Sequence, residues 1–294
     1  MRKQVGTPVE HDSAPTSQVL PVLQLAPTRQ GMQVAVGLHT MSVPHEAPGR
    51  SVPVRTQVAN HLARFQSFRD TDLVLVFVGA NDVFTHFGTF AATAAQVQAQ
   101  AAAGQLTADQ ANGRLLDAQL AAQEQMKRAA QELSGYVRNE ILAKGARYVV
   151  VMTLPDIADT PFGGTVPTAA RPVLTALSEV FNLWLREGMG GQPVQIVDTF
   201  ALFKDVKANP SRYGLTNTTV PACDAAKIAA ITRGAVTDGS SLFCNSTPGA
   251  PFNGIRTGAD VSTWQFADGV HPTTGGHRAF SDEVIKALRS FGWL

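Results

Sequence analysis

The sequence predicts an α/β fold, a three-layer α/β/α sandwich with helices on both faces of a parallel sheet. Three apolar runs, at residues 73–78, 147–153 and 194–197, are typical of strands that are buried on both faces. Segments with helical periodicity alternate with them, which favours parallel strands joined by helices. The chain has 294 residues, of which 44% are hydrophobic, and this is enough for one large domain.

The composition excludes several classes of function. The net charge is +1 and only 16% of the residues are charged, so we expect no nucleic-acid partner and no anionic membrane surface. No apolar run approaches the roughly 18 residues that a transmembrane segment needs. Arg2 and Lys3 are basic, but no apolar stretch follows them directly, so the start is not a complete signal peptide.

Residues 1–50 form an atypical N-terminal segment. They are rich in proline and histidine and keep neither strand nor helix periodicity. Residues 19–25 and 32–38 are short apolar stretches that could be strands, although Pro21 interrupts the first. The patterns become regular from residue 51, so residues 51–294 are interpreted as the domain proper.

The middle of the chain predicts two helical regions, one before the first clear strand and one after it. A helix at residues 54–65 precedes the first clear strand, and an Ala- and Gln-rich segment begins at about Phe90. The Thr-Ala-Asp-Gln sequence at residues 107–110 fits a capping box. The helix that follows is expected to end at Gly145, just before the strand at residues 147–153.

The last part of the domain combines regular elements with a long insertion. A helix at residues 167–187 leads to the strand at residues 194–197. A loop-rich insertion is expected at about residues 203–265, and a helix at residues 273–288 follows it. No internal repeat is evident.

Two cysteines, Cys223 and Cys244, lie in this insertion among Thr, Asn, Ser, Gly and Pro residues. Two cysteines that close a surface loop predict a disulfide and an oxidising compartment. The alternative is a pair of unpaired, half-buried thiols, but a polar loop is a poor place to bury a free cysteine.

The Val-Gly-Ala-Asn-Asp motif at residues 78–82 ends the first clear strand. Ligands of open α/β sheets bind beyond the carboxyl ends of the strands, and Asn81 falls at that edge. Its amide can donate a hydrogen bond to the oxygen that becomes negative during acyl transfer. The alternative is an Asx turn that caps the strand, and Asp82 is expected to brace the loop.

The Asp-Gly-Val-His-Pro motif at residues 268–272 precedes the last helix. Asp268 can accept a hydrogen bond from one imidazole nitrogen of His271, which leaves the other nitrogen as a base. The alternative is a helix-capping Asp beside an exposed His. A metal site formed with His277 is disfavoured, because no matching carboxylate cluster accompanies it.

The two motifs together resemble the SGNH (GDSL) esterase and lipase superfamily. Residues 79–82 are similar to its third block and residues 268–272 to its fifth. The Leu-Pro-Asp sequence at residues 154–156 and the Phe-Gly-Trp-Leu ending also resemble secreted bacterial members. The resemblance covers about residues 51–294 and implies a flavodoxin-like α/β/α fold.

The resemblance also implies roles for individual residues. Asn81 would be an oxyanion-hole donor, His271 the base and Asp268 its orienting acid. No metal and no organic cofactor is implied. The implied function is carboxylic-ester hydrolysis by serine acyl transfer, acting on a small-molecule or lipid ester.

The family's first block, a Gly-Asp-Ser-Leu sequence that carries the nucleophile, is missing. The nearest match is His-Asp-Ser-Ala at residues 11–14, which makes Ser13 the candidate nucleophile. Gly31 loosely matches the glycine whose N–H completes the oxyanion hole. Three explanations stay open: Ser13 serves as a rearranged nucleophile, the block is lost, or residues 1 to about 30 are an out-of-frame or truncated start.

These explanations lead to different expectations. Loss of the first-block strand would leave the strand at residues 73–78 with an unpaired edge, and weak or no turnover would follow. The alternative function is therefore a non-catalytic protein on the same scaffold. A nucleotide-binding α/β protein is disfavoured, because the sequence has neither a Gly-x-Gly-x-x-Gly nor a Walker-type loop.

The substrate pocket and the location are predicted less directly. The insertion is expected to shape the pocket, with Trp264 and Phe266 either as its walls or as ordinary core residues. The family and the predicted disulfide imply a secreted, periplasmic or outer-membrane-associated protein.

Overall fold

A computed structural model describes residues 34–36, 53–247 and 253–294. Its sheet is small and parallel, with four strands in the order β1-β2-β3-β4. The strands are β1 (Val34–Val36), β2 (Leu73–Val76), β3 (Tyr148–Met152) and β4 (Gln195–Val197). Because all four are parallel, their carboxyl ends lie at one edge of the sheet.

Helices outweigh strands in the described part of the chain. The first three are α1 (Val54–Phe65), α2 (Ala80–Ala102) and α3 (Ala108–Tyr136). The next three are α4 (Pro161–Thr165), α5 (Arg171–Gly188) and α6 (Thr199–Ala208). The last two are α7 (Ala225–Ile231) and α8 (Thr274–Ser290).

Side chains of β2 and β3 alternate between two apolar clusters. The main cluster joins α1, α2, α3 and α5 to alternate strand residues, namely Val74, Val76, Val149 and Val151. A second cluster joins α8 to the intervening residues, namely Leu75, Val150 and Met152. Alternate residues of a strand face opposite sides of a sheet, so both faces of the sheet are covered and the central strands need to be apolar throughout.

The α/β class, the parallel sheet and most predicted elements are confirmed. The helix at residues 54–65 is α1, and the capping box is present, since Thr107 Oγ1 accepts from Gln110 N at 3.2 Å and Gln110 Oε1 accepts from Thr107 N at 2.9 Å. The chain leaves the α3 region through a π-helical turn, Val137–Ile141, and ends its helical course at Gly145, whose φ is +100°.

Two predicted boundaries were wrong. The helix expected from about Phe90 begins at Ala80, because Gly79 turns the chain directly from β2 into α2. The helix expected from residue 167 begins at Arg171, after a 3-10 turn at Thr168–Ala170. Near the predicted start of the insertion, at about residue 203, α6 continues to Ala208.

The unpaired edge expected beside β2 is also absent. Val34–Val36 pairs with Val74–Val76 on one side of β2, and β3 pairs on the other. Val34–Val36, within the apolar stretch predicted at residues 32–38, therefore supplies the neighbouring strand. Among the helices of the described ranges, none is both long enough and apolar enough to cross a membrane.

The disulfide between Cys223 and Cys244 is present, with a Cα–Cα distance of 5.9 Å. Cys223 is buried and donates its backbone N–H to Ala267 O at 2.8 Å. Cys244 follows the 3-10 turn Ser241–Phe243. The bridge thus links the outer part of the insertion to the segment that precedes residues 268–271.

Candidate active site

Asn81 lies in the first turn of α2, directly beyond the carboxyl end of β2. Gly79 is the residue before this helix and has a φ of +112°, a conformation that residues with a Cβ rarely adopt. A Cβ on Gly79 would also lie 2.7 Å from Phe181 Cζ. The glycine is therefore required twice over, and the tight turn that it allows brings the half-buried Asn81 to the edge of the sheet.

His271 and Asp268 form a hydrogen-bonded pair within one short loop. The distances from His271 Nδ1 to Asp268 Oδ1 and Oδ2 are 3.0 Å and 2.8 Å. The same carboxylate accepts backbone N–H donors from Val270 at 3.0 Å and from His271 at 2.8 Å. The sequence spacing of three residues produces this geometry because the carboxylate folds back over its own loop.

The two members of the pair differ in exposure. The Asp268 side chain is 7% exposed, whereas the His271 side chain is 47% exposed. A buried carboxylate with several donors is fixed, while the ring that it holds can meet a ligand. Since an ionised carboxylate only accepts, Nδ1 carries the proton and Nε2 of neutral His271 carries the lone pair.

The electrostatics match this arrangement. Burial acts to raise the pKa of Asp268, but the hydrogen bond and charge of His271 and the backbone donors outweigh burial and hold that pKa well below its usual range. The hydrogen bond and charge of Asp268 raise the pKa of His271 above 6.5, against the opposing effect of burial. Burial and the nearby His271 lower the pKa of His277, on α8.

The loop is held on both sides by backbone hydrogen bonds. Ala267 N donates to His271 O at 2.7 Å, and Thr273 N donates to Gln265 O at 2.9 Å. Thr273 then caps α8, since its Oγ1 accepts from Gly276 N at 3.1 Å. The final helix therefore starts directly after a hydrogen-bonded turn, and His271 lies where the chain returns from residues 268–270 to pair with Ala267.

Phe162, a residue that sequence reasoning did not single out, joins this loop to α2. Its backbone N–H donates to Gly269 O at 2.8 Å. Its ring packs edge-on against Phe84 of α2, with 5.3 Å between the centroids. The loop with His271 and the helix with Asn81 therefore contact the same residue, one through its backbone and the other through its ring. No signal in the sequence marks Phe162 for this contact, because its bond to the loop uses a backbone N–H, which every residue except proline possesses.

The Leu-Pro-Asp sequence at residues 154–156 follows β3 and is held firmly. Asp156 is buried and accepts from Thr175 Oγ1 at 3.0 Å and from Lys204 Nζ at 2.8 Å. The side chain of Asn182 bonds to both backbone groups of Leu154. These contacts fix the carboxyl end of β3 at the same edge as Asn81.

The remaining predicted residues fall into two groups. Ser13 and Gly31 lie outside the described residues. Phe266 is 2% exposed and is packed in the interior, whereas Trp264 is half-buried. Across the described ranges, no group of three or more His, Cys, Asp or Glu side chains could hold a metal ion.

A cavity of about 560 Å³ lies elsewhere, between α2 and α3. Its lining includes His86, Phe90 and Arg114. Burial lowers the pKa of His86. No residue of the 268–271 loop lines this cavity, so it is distinct from the site formed by the two motifs.

Comparison with known proteins identifies the family. The model of the GDSL-like lipase/acylhydrolase family matches residues 27–284 of this chain. The chain belongs to that family. The match includes β1 and both motifs, and therefore most of the described structure.

Two esterases are among the relatives of this family member. The chain is 34% identical over 147 residues to esterase EstA of Pseudomonas aeruginosa and, to the same extent, to esterase EstA of Pseudomonas putida. It is 31% identical over 149 residues to an uncharacterized protein from the trpE-trpG intergenic region of Pseudomonas putida. Each match covers 49% of this chain but only 20% to 22% of the relative, so the chain spans about a fifth of the length of these relatives.

Proposed function

We propose that the protein is a carboxylic-ester hydrolase that acts by serine acyl transfer. The observation that carries this proposal is the Asp268–His271 pair, with its buried acid, exposed ring and Nδ1–Oδ2 distance of 2.8 Å. Family membership and the similarity to two esterases support it. The substrate class is a small-molecule or lipid ester.

The proposed chemistry assigns one step to each group. His271 Nε2 takes the proton of a serine hydroxyl as that oxygen attacks the ester carbonyl, and it later gives the proton to the leaving alcohol. Asp268 keeps the ring in the required tautomer and stabilises the imidazolium that forms. Water, activated by the same ring, then releases the acid from the acyl-enzyme.

Asn81 is proposed as the oxyanion donor. Its position in the first turn of α2, at the carboxyl edge of the sheet, supports this role. One such donor typically contributes roughly 3 to 4 kcal/mol to the transition state. Ser13 is proposed as the nucleophile and Gly31 as a second, backbone donor, both on the basis of the sequence.

The decisive experiment measures hydrolysis of p-nitrophenyl acetate and butyrate by the full chain and by Ser13→Ala and His271→Ala variants. The proposal expects turnover that falls by several orders of magnitude in both variants. Activity that persists in Ser13→Ala and vanishes in His271→Ala would show that another serine attacks. Activity unchanged in His271→Ala would reject the mechanism.

A fluorophosphonate that labels activated serines supplies a second measurement. Peptide mass mapping of the labelled protein identifies the nucleophile directly, and His271→Ala should suppress the label. A chain that neither reacts with the probe nor hydrolyses either ester would favour the alternative, a non-catalytic protein on this scaffold.

The proposal extends to architecture and location. Residues 51–294 are proposed as one hydrolase domain, a flavodoxin-like three-layer sandwich; the coverage of both faces of the sheet by helices supports this arrangement. A secreted, periplasmic or outer-membrane-associated location is proposed. The disulfide and the two esterase relatives are compatible with it.

A further inference from the structure

We propose that Ser241 and the Cys223–Cys244 disulfide form a clamp that positions the Asp268 carboxylate. The clamp consists of the backbone N–H of Ser241, the disulfide and the backbone bond between residues 223 and 267. This inference rests on the proposed function, because it concerns the acid that orients His271. It assigns a positioning role to a part of the insertion that contains none of the proposed reacting groups.

The first observation is the set of donors around Asp268. Its carboxylate accepts from His271 Nδ1 and from the backbone N–H groups of Val270 and His271, all within its own loop. The remaining donor is Ser241 N, at 2.9 Å from Oδ2 and 27 residues away in sequence. Ser241 is thus the donor through which the insertion reaches the acid.

The second observation is that Ser241 binds the oxygen that lies nearer to the imidazole. Oδ2 is 2.8 Å from His271 Nδ1, against 3.0 Å for Oδ1. Backbone donors within the loop hold Oδ1, and Ser241 holds Oδ2. Rotation of the carboxylate away from the ring would therefore break the Ser241 bond.

The third observation is the way in which the disulfide anchors Ser241. Cys244 closes the same 3-10 turn, because its N–H donates to Ser241 O at 3.1 Å. Cys223 is buried and bonds to Ala267 O, one residue before Asp268. The bridge thus joins two segments that both contact the acid. One is the turn that donates to Asp268, and the other is the segment that directly precedes Asp268, so the contacts form a closed circuit around the acid.

The test uses two variants that break the clamp at different points. Ser241→Pro removes the donor, and the turn tolerates proline because Ser241 is the first residue of a 3-10 helix and Ser240 before it is extended, with φ −49° and ψ 129°. Cys223→Ala/Cys244→Ala keeps the donor and removes its anchor. Ser241→Ala is the matched control, since it keeps the backbone N–H.

The first readout is the pKa of His271, measured by NMR titration of its ring protons, which needs no turnover. Loss of the Ser241 donor by itself makes the Asp268 carboxylate more basic, but three donors to that carboxylate remain. Displacement of Oδ2 has the larger effect, because it weakens the hydrogen bond between Asp268 and His271 that raises the pKa of His271. Both clamp variants should lower that pKa by about half a unit or more, and Ser241→Ala should leave it unchanged. Two charged or titratable groups of the described residues interact electrostatically with His271. They are Asp268, in the same loop, and His277, on α8.

The second readout is ester hydrolysis at a temperature well below unfolding. We expect kcat/KM to fall about 10- to 100-fold in both clamp variants, as for a misplaced catalytic group, with Ser241→Ala within about twofold of the parent. Thr107→Ala, in the capping box of α3, controls for a general loss of stability and should leave both readouts unchanged.

The outcomes separate the two proposals. Folded clamp variants with an unchanged or raised pKa of His271 would overturn the clamp, whatever the activity. A parent protein without esterase activity would contradict the proposed function, while the NMR titration would still decide whether Ser241 and the disulfide position Asp268.

Discussion

At the residue scale, the central contact is the bond between His271 Nδ1 and Asp268, because it sets the charge of the proposed base. Asp268 raises the pKa of His271 above 6.5, and the base acts only when it is neutral. We therefore expect kcat/KM to rise with pH through a midpoint above 6.5 and the midpoint to fall in Asp268→Asn. A pH profile of p-nitrophenyl acetate hydrolysis measures both midpoints. Equal midpoints in the two proteins would contradict this role of Asp268.

The same pair predicts how stability depends on pH. Asp268 has a lowered pKa when folded, so its contribution is complete above 3.8 and is lost as pH falls through the folded value. His271 has a raised pKa, so its contribution is complete below 6.5 and is lost as pH rises through its folded value. The stability gap between the parent and Asp268→Asn should be larger at about pH 5.5 than at about pH 8.5 in urea unfolding. A stability difference between the two proteins that grows with pH would contradict this prediction.

Gly79 supports a third prediction at this scale. Gly79→Ala imposes a Cβ on a residue with a φ of +112° and places it 2.7 Å from Phe181 Cζ. We expect a loss of about 2 to 4 kcal/mol in the free energy of unfolding, from backbone strain together with overpacking. Thermal and urea unfolding measure it.

The matched control for Gly79 is Gly88→Ala in the same helix. A Cβ at Gly88 meets nothing within 4 Å, and the exposed helical position favours alanine by up to about 1 kcal/mol. Similar destabilisation by both substitutions would show that the turn before Asn81 does not require glycine.

At the element scale, one side chain joins α5 to the end of β3. Asn182 Oδ1 accepts from Leu154 N at 2.6 Å, and Asn182 Nδ2 donates to Leu154 O at 2.8 Å. Asn182 is 7% exposed, so Asn182→Leu would leave two buried backbone groups without partners. We expect a loss of about 2 to 4 kcal/mol in the free energy of unfolding, measured in urea.

The neighbouring residue supplies the control for Asn182. Leu183 is 61% exposed, and Leu183→Gln should change stability by no more than about 0.5 kcal/mol. If Asn182→Leu also changed the free energy of unfolding by no more than that amount, water or a rearranged loop would be forming hydrogen bonds with the backbone groups of Leu154.

At the scale of the whole molecule, the disulfide restricts the unfolded chain. It joins residues separated by 21 positions in a region with few strands or helices. The chain-entropy model gives about 3 kcal/mol for a loop of this size, so Cys223→Ala/Cys244→Ala should lower the free energy of unfolding by that amount. Alkylation of the unfolded, unreduced parent should add no mass. Two labelled thiols would disprove the bridge.

The sequence by itself determined the class of fold and the local half of the site. Apolar runs predicted β2, β3 and β4, because strands covered on both faces must be apolar throughout. The Asp268–His271 pair was predictable because both residues lie within one turn, where spacing alone sets the geometry. The Cys223–Cys244 pairing was predictable because the chain has only two cysteines.

Only the tertiary structure decided what depends on contacts between distant segments. The early start of α2 depends on a φ of +112° at Gly79, which composition and periodicity do not encode. Ser241 and Phe162 reach the 268–271 loop through backbone N–H groups, which every residue except proline possesses, so no residue type marks them in the sequence. The pairing of Val34–Val36 with β2 was likewise decided by the sheet, because a strand of three residues is too short to show periodicity of its own.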